Sequence, residues 1–150
     1  MVAITVSTEL DAPPDVVWED LKNLRSHQEW MHDAESIWIT SRQSSGVGTT
    51  FDCETKVGPI RLNDQMEITE WVEGERMGVR HNGLVTGEGA FAMSALPGDR
   101  TLFRWDEELS FPWWLGGPVG EPFGSVILKK IWERNLKNLR SRFHNGARIA

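Results

Sequence analysis

Three hydrophobic periods follow one another along the chain. "VAITVSTEL" (2–10) alternates apolar and polar positions and is rich in β-branched residues, the pattern of a strand. In "DAPPDVVWEDLKNL" (11–24) the spacing turns helical at Val17, Trp18, Leu21 and Leu24, with Asp11 or Asp15 able to cap and the prolines suited to a first turn. "SHQEWMHD" (26–33) predicts a second short helix with Trp30 and Met31 as its apolar contacts. Between 34 and 111 the period falls to two, and turn signals divide the stretch at Ser44-Ser45-Gly46, Gly58-Pro59, Glu73-Gly74, Asn82-Gly83 and Pro97-Gly98-Asp99. These predict six strands near 35–42, 49–57, 60–72, 75–82, 87–96 and 100–111, antiparallel because the turns are short. The last segment, 122–146, is helical: Leu128, Ile131, Trp132, Leu136, Leu139 and Phe143 form one stripe opposite Lys129, Lys130, Glu133, Arg134, Lys137 and Arg140. Asn145-Gly146 reads as its stop, and ~22 helical residues span roughly 33 Å, the width of a small sheet.

This order gives an α+β protein in which a curved sheet wraps the last helix. The 150 residues, without repeat or linker, form one domain over 1–150. Strand parity then assigns faces. In "RTLFRWDEELSFP" the positions Thr101, Phe103, Trp105, Glu107, Leu109 and Phe111 share the inward face, and Glu107 is its one acidic member. The same rule groups Met77, Val79 and His81, then Leu62, Asp64, Met66 and Ile68, then Phe51, Cys53 and Thr55. Asn135 falls inside the apolar stripe of the last helix. Asp64, His81, Glu107 and Asn135 are therefore the polar groups expected on an otherwise apolar interior, as ligand orientation requires. Glu107 and His81 are the candidates for moving protons. Burial among aromatics should raise the Glu107 pKa unless His81 or an arginine reaches it.

"LDAPPDVVWEDLKNLRSHQEWMHD" carries an apolar-Ala-Pro pair, a Trp on the first helix and a second Trp soon after, and "PGDRTLFRWDEELSFP" carries a Gly-x-Thr-like strand running to a proline. In these stretches, and in element order over the whole chain, the sequence resembles the START-like, helix-grip superfamily, specifically its polyketide cyclase/dehydrase and lipid-transport (SRPBCC) group. Arg100 stands before Thr101, a small departure from the family's Gly-x-Thr-Arg order. The resemblance implies a seven-stranded curved antiparallel sheet around a long C-terminal helix, with two short helices after the first strand. It also implies a deep apolar cavity for a polyketide-, lipid- or sterol-like molecule, used for cyclisation or dehydration, for carriage without chemistry, or by a regulatory binding protein whose partner surface is the basic face of the last helix. With the inward faces above, Phe51, Phe91, Met93, Phe103, Trp105 and Ile131 become its expected walls.

Between the last strand and the helix lies "PWWLGGPVGEPFG" (112–124). Trp113 and Trp114 in this Gly/Pro-rich loop either cover an apolar opening or pack on the first turn of the helix. Charge adds a second feature. The net charge of −6 argues against nucleic acid. Yet residues 121–150 hold seven Lys and Arg against two Glu, so the basic face of the last helix is either a solvated surface or a dock for an anionic partner.

Other chemistry is thinly represented. His27 and His32, five residues apart, do not share a helical face, and no His-Glu-x-x-His occurs, so no metal is expected. No cofactor motif is present: "SSGVG" (44–48) lacks the Gly-Lys-Ser/Thr ending of a phosphate loop. The single cysteine, Cys53, excludes an intrachain disulfide; it is either core filler or, if His81 approaches it, a nucleophile. No apolar run is long enough to span a membrane and no secretory signal is visible, so a cytoplasmic location is expected.

Overall fold

The structure, a computed structural model, describes residues 1–115 and 117–149. Strand β1 (Val2–Leu10) leads into helix α1 (Pro14–Leu21) and a 3-10 helix over Leu24–Glu29, which carry the chain to the opposite edge of the sheet. From there β2 (Ala34–Ile39), β3 (Thr50–Val57), β4 (Ile60–Val72), β5 (Arg76–Asn82), β6 (Thr86–Leu96) and β7 (Arg100–Ser110) follow as successive antiparallel neighbours. The last of them returns to pair with β1 from Val2↔Leu109 to Leu10↔Thr101, giving the order β1-β7-β6-β5-β4-β3-β2. Register shifts at Ala34/Ser36 and Ile68/Glu70 bend the sheet. A second 3-10 helix (Trp113–Leu115) precedes helix α2 (Gly117–Arg140), and β8 (Phe143–His144) with β9 (Ala147–Arg148) closes the chain.

Two elements differ from their sequence pattern, each for a local reason. The second short helix, expected over 26–33, is a 3-10 helix over Leu24–Glu29. Ser26 Oγ donates to the carbonyls of Asp20 (2.9 Å) and Asn23 (2.7 Å), and His27 Nε2 lies 2.8 Å from the Leu21 carbonyl. These side chains satisfy carbonyls that the end of α1 leaves open, which ties the segment down in a tight turn. The last helix starts at Gly117 and runs through Pro122, five residues before the expected start, and ends at Arg140. Asn145-Gly146 is a hairpin turn rather than a helix stop. Both residues have positive φ (52° and 79°), as a two-residue hairpin with the twist of its strands demands. Asn-Gly suits either role, because both need the left-handed region. The tail is then fixed by a two-pronged ion pair from Arg142 to the buried Asp20 (2.9 and 2.7 Å).

The core is organised around Trp30, which is completely buried. Its ring lies 5.8 Å from Phe91 and edge-on to Phe103 (6.4 Å) and Trp105 (6.1 Å), and Trp105 stacks on Trp132 of α2 at 4.6 Å. Asn135 secures the turn behind Trp30. Its Oδ1 accepts the His32 backbone N–H at 3.0 Å and its Nδ2 donates to Asp33 Oδ1 at 2.6 Å, while Asn138 Nδ2 donates to the Trp30 carbonyl. Burial raises the Asp33 pKa, and the Asn135 bond partly offsets it. Asn135→Ala should therefore cost about 1–3 kcal/mol, read as a lower urea midpoint with an unchanged m-value, because it strands a buried donor and a carboxylate.

Candidate functional site

The concave face of the sheet is filled at one end and open at the other. Helix α2 lies along β1, and the segment carrying Trp30 packs beneath it, so the β1–β7 end is solid core. Towards β3–β6 a cavity of about 440 Å³ remains, walled by residues of β2 to β7, by Leu24, His27, Met31 and Asp33 from the segment before β2, and by α2 from Gly120 to Trp132. Period-2 parity supplies its lining: Phe51, Cys53 and Thr55; Leu62, Asp64, Met66 and Ile68; Met77, Val79 and His81; Phe91; Trp105, Glu107 and Leu109. From α2 it takes Phe123, Ile127, Leu128 and Trp132. Phe123, Ile127, Leu84 and Ile60 line the cavity yet are also exposed, so they frame its mouth.

Three of the expected polar residues meet in the wall. His81 Nδ1 lies 2.7 Å from Asp64 Oδ2, and His81 Nε2 lies 2.9 Å from Glu107 Oε2. The second Glu107 oxygen accepts Trp105 Nε1–H at 3.1 Å. Register explains the meeting. Met66 pairs with His81, which sets Asp64 diagonally across from it. Glu107 is on β7, two strands from His81, and the intervening β6 places Gly87 opposite His81 and Gly89 opposite Glu107. With no side chains in between, the two groups join above the β6 backbone. A Cβ at Gly89 would sit 2.1 Å from the Glu107 carboxyl carbon, and one at Gly87 would meet the Glu108 carbonyl oxygen at 1.8 Å.

His81 is cationic in this setting. Burial alone would lower its pKa, but the hydrogen bonds and charges of Asp64 and Glu107 outweigh that and lift it to about 10. Gly89→Ala should push the Glu107 carboxyl off its two partners, costing about 1–3 kcal/mol. An NMR titration of the His81 ring should show its pKa falling in that variant, and a pKa equal to the wild type's would mean the glycine is dispensable.

Several of the other candidates are placed differently from expectation. Met93 and Phe103 do not line the cavity, because Trp30 and α1 cover that end of β6 and β7, and Phe103 is completely buried there. Ile131 packs against the core, while Leu128 and Trp132 take the cavity side. Asn135 is spent on His32 and Asp33 and does not face the cavity. Trp113 and Trp114 are 85% and 49% exposed and do not cover the opening; Gly116, in the same loop, lies outside the described residues. Cys53 does line the cavity, but both His81 nitrogens are engaged by carboxylates. Burial, against a weak contact to Thr55, pushes the Cys53 thiol up to about 11, which removes the nucleophile reading at neutral pH. Lys129, Lys130, Arg134, Lys137 and Arg140 are exposed along α2, and among the described residues none forms an ion pair. Gly87 and Gly89 escaped sequence reasoning, although two glycines two apart within a strand signal a close approach over one face.

The sequence model of the family described as polyketide cyclase / dehydrase and lipid transport matches residues 1–144. Among curated proteins none matches the chain. Solved structures share the fold at low identity. A START superfamily protein from Mycobacterium smegmatis is 16% identical with a TM-score of 0.76, over 93% of this chain and 95% of that one. The Zhui aromatase/cyclase from a Streptomyces species is 15% identical with a TM-score of 0.72, over 93% and 92%. A protein from Thermus thermophilus is 19% identical with a TM-score of 0.75, over 93% and 95%.

Proposed function

The chain belongs to the polyketide cyclase / dehydrase and lipid transport family, and from that premise we propose that it binds a bulky hydrophobic small molecule in the cavity between the sheet and α2. The observation that carries this reading is the cavity itself: about 440 Å³, mostly apolar, with the Asp64–His81–Glu107 cluster in its wall, and open at a rim of exposed Phe123, Ile127, Leu84 and Ile60. That is the form of a site in which apolar walls supply affinity and a few fixed polar groups set orientation. Asp64, His81 and Glu107 would hold the polar end of the ligand. No helix among the described residues is long and apolar enough to cross a membrane. Native mass spectrometry of the freshly purified protein tests the proposal. The expected result is a retained small molecule that organic solvent extracts, or uptake of one equivalent of an added polyketide or sterol; a bare protein that takes up neither would sink it.

The second reading is catalysis of cyclisation or dehydration, favoured by three ionisable groups set into an apolar wall. On this reading the walls fold a flexible substrate into a reactive shape, Glu107 or Asp64 takes up the proton lost from carbon, and the His81 imidazolium, whose two N–H groups stay with the carboxylates, positions them. Because His81 is already protonated near neutrality and both of its nitrogens are held by carboxylates, it does not serve as the base. Glu107→Gln keeps the shape and removes one proton acceptor. Catalysis predicts that turnover of an accepted polyketide falls at least tenfold with binding retained; carriage predicts no turnover in either protein.

A further inference from the structure

We propose that the cavity selects an apolar ligand bearing a hydrogen-bond donor and no negative charge, a protonated amine best and a hydroxyl next, and that it rejects carboxylates and phosphates. This rests on the ligand-binding reading above and names the chemistry of its polar end.

Donors and acceptors in the wall are unequally matched. The two bonds His81 makes to Asp64 and Glu107 require two protons shared among the four atoms involved. Wherever those protons sit, the cluster of two carboxyls and one imidazole carries a net charge of −1. Both ring nitrogens are used, and the Trp105 N–H is committed to Glu107, so none of these three donors remains for a ligand. Acceptor capacity does remain, in the lone pairs of both carboxyls. Asp64 Oδ1 in particular is buried without a hydrogen-bond partner, so no donor offsets the carboxyl's negative charge at that oxygen.

The surroundings point the same way. Neither Lys nor Arg contributes to the described cavity walls. The other titratable groups there are His27, Asp33 and Cys53. His27 is buried, and burial lowers its pKa despite the bond to the Leu21 carbonyl, so its ring stays neutral. Asp33 is taken by Asn135. An anionic head group would thus be desolvated beside a net negative cluster with no cation free to meet it, whereas an ammonium would find a charge-assisted acceptor.

The test compares three probes of equal chain length, decylamine, 1-decanol and decanoate, by calorimetric titration at pH 7.4 below their aggregation limits. The expected order of affinity is amine, alcohol, carboxylate, with at least tenfold between the ends. Asp64→Asn, which neutralises the cluster at constant volume, should shrink that ratio to threefold or less; Glu107→Gln serves if the first variant does not fold. Glu88→Gln, an exposed charge paired with Arg80 outside the cavity, should leave the ratio unchanged. Decanoate binding as tightly as decylamine overturns the inference and leaves the pocket reading intact. A preference that survives in the cluster variants also overturns it, since attraction to the acidic chain as a whole would then be the cause. If none of the three binds, the pocket reading fails and takes this inference with it.

Discussion

His81→Leu is expected to lower stability by about 3–5 kcal/mol at pH 7, because it removes the shared partner of two buried carboxylates and leaves them facing each other without a cation. The Asp64 and Glu107 side chains are only 16% and 5% exposed, so water cannot replace what the imidazolium provides. In a protein of this size the change corresponds to a fall in Tm of roughly 6–20 °C. The loss should shrink in acid, where the carboxyls take up protons and no longer repel. Removing the whole cluster together, as Asp64→Asn, His81→Leu and Glu107→Gln, should cost much less than the sum of the three single variants. Additive losses in urea denaturation would show that the three groups do not act as one unit.

The second large effect is a dependence on alkaline pH. His81 titrates near 10 in the folded protein and near 6.5 in an unfolded chain, so the folded state binds the extra proton across that interval. The cluster's contribution is therefore complete below about pH 6.5 and is lost as pH rises through 10, a drop on the order of 3–5 kcal/mol. Urea midpoints at pH 6.5 and pH 10 should differ strongly for the wild type and much less for His81→Leu, which lacks the titrating ring. A His81 ring resonance that titrates near 6.5 in the folded protein would remove the basis of this expectation.

Much of this architecture was legible because it follows from periodicity. Alternation sets Glu107, His81 and Asp64 on inward faces, and the sheet places all three in the cavity wall. Their contact was not legible, since it depends on register across three strand pairs and on Gly87 and Gly89 leaving β6 bare between His81 and Glu107. The cavity's extent was misjudged at Met93 and Phe103 because parity names a face and does not say which end of it another segment covers. That end is covered by Trp30, whose place is set by side-chain bonds from Ser26, His27 and Asn138 that no period encodes. Asn135 misled for a related reason. An amide within an apolar stripe can serve a ligand or clamp backbone, and only its neighbours, His32 and Asp33, decide. Asn145-Gly146 names a left-handed turn, and whether that turn ends a helix or closes a hairpin depends on the residues either side, here the paired Phe143–His144 and Ala147–Arg148.

The central claim is an accessible apolar cavity whose wall holds the histidine cluster. Equilibrium titration with Nile red, a neutral apolar dye, tests it most directly when wild type is set beside Val79→Trp, which fills the cavity, and Val72→Trp, an exposed position outside it on β4. With circular dichroism establishing that all three proteins are folded, one dye is predicted to bind saturably to wild type and to Val72→Trp, and binding to Val79→Trp is predicted to weaken at least tenfold. Equal binding by Val79→Trp and wild type, or no saturable binding to wild type at all, would contradict that claim.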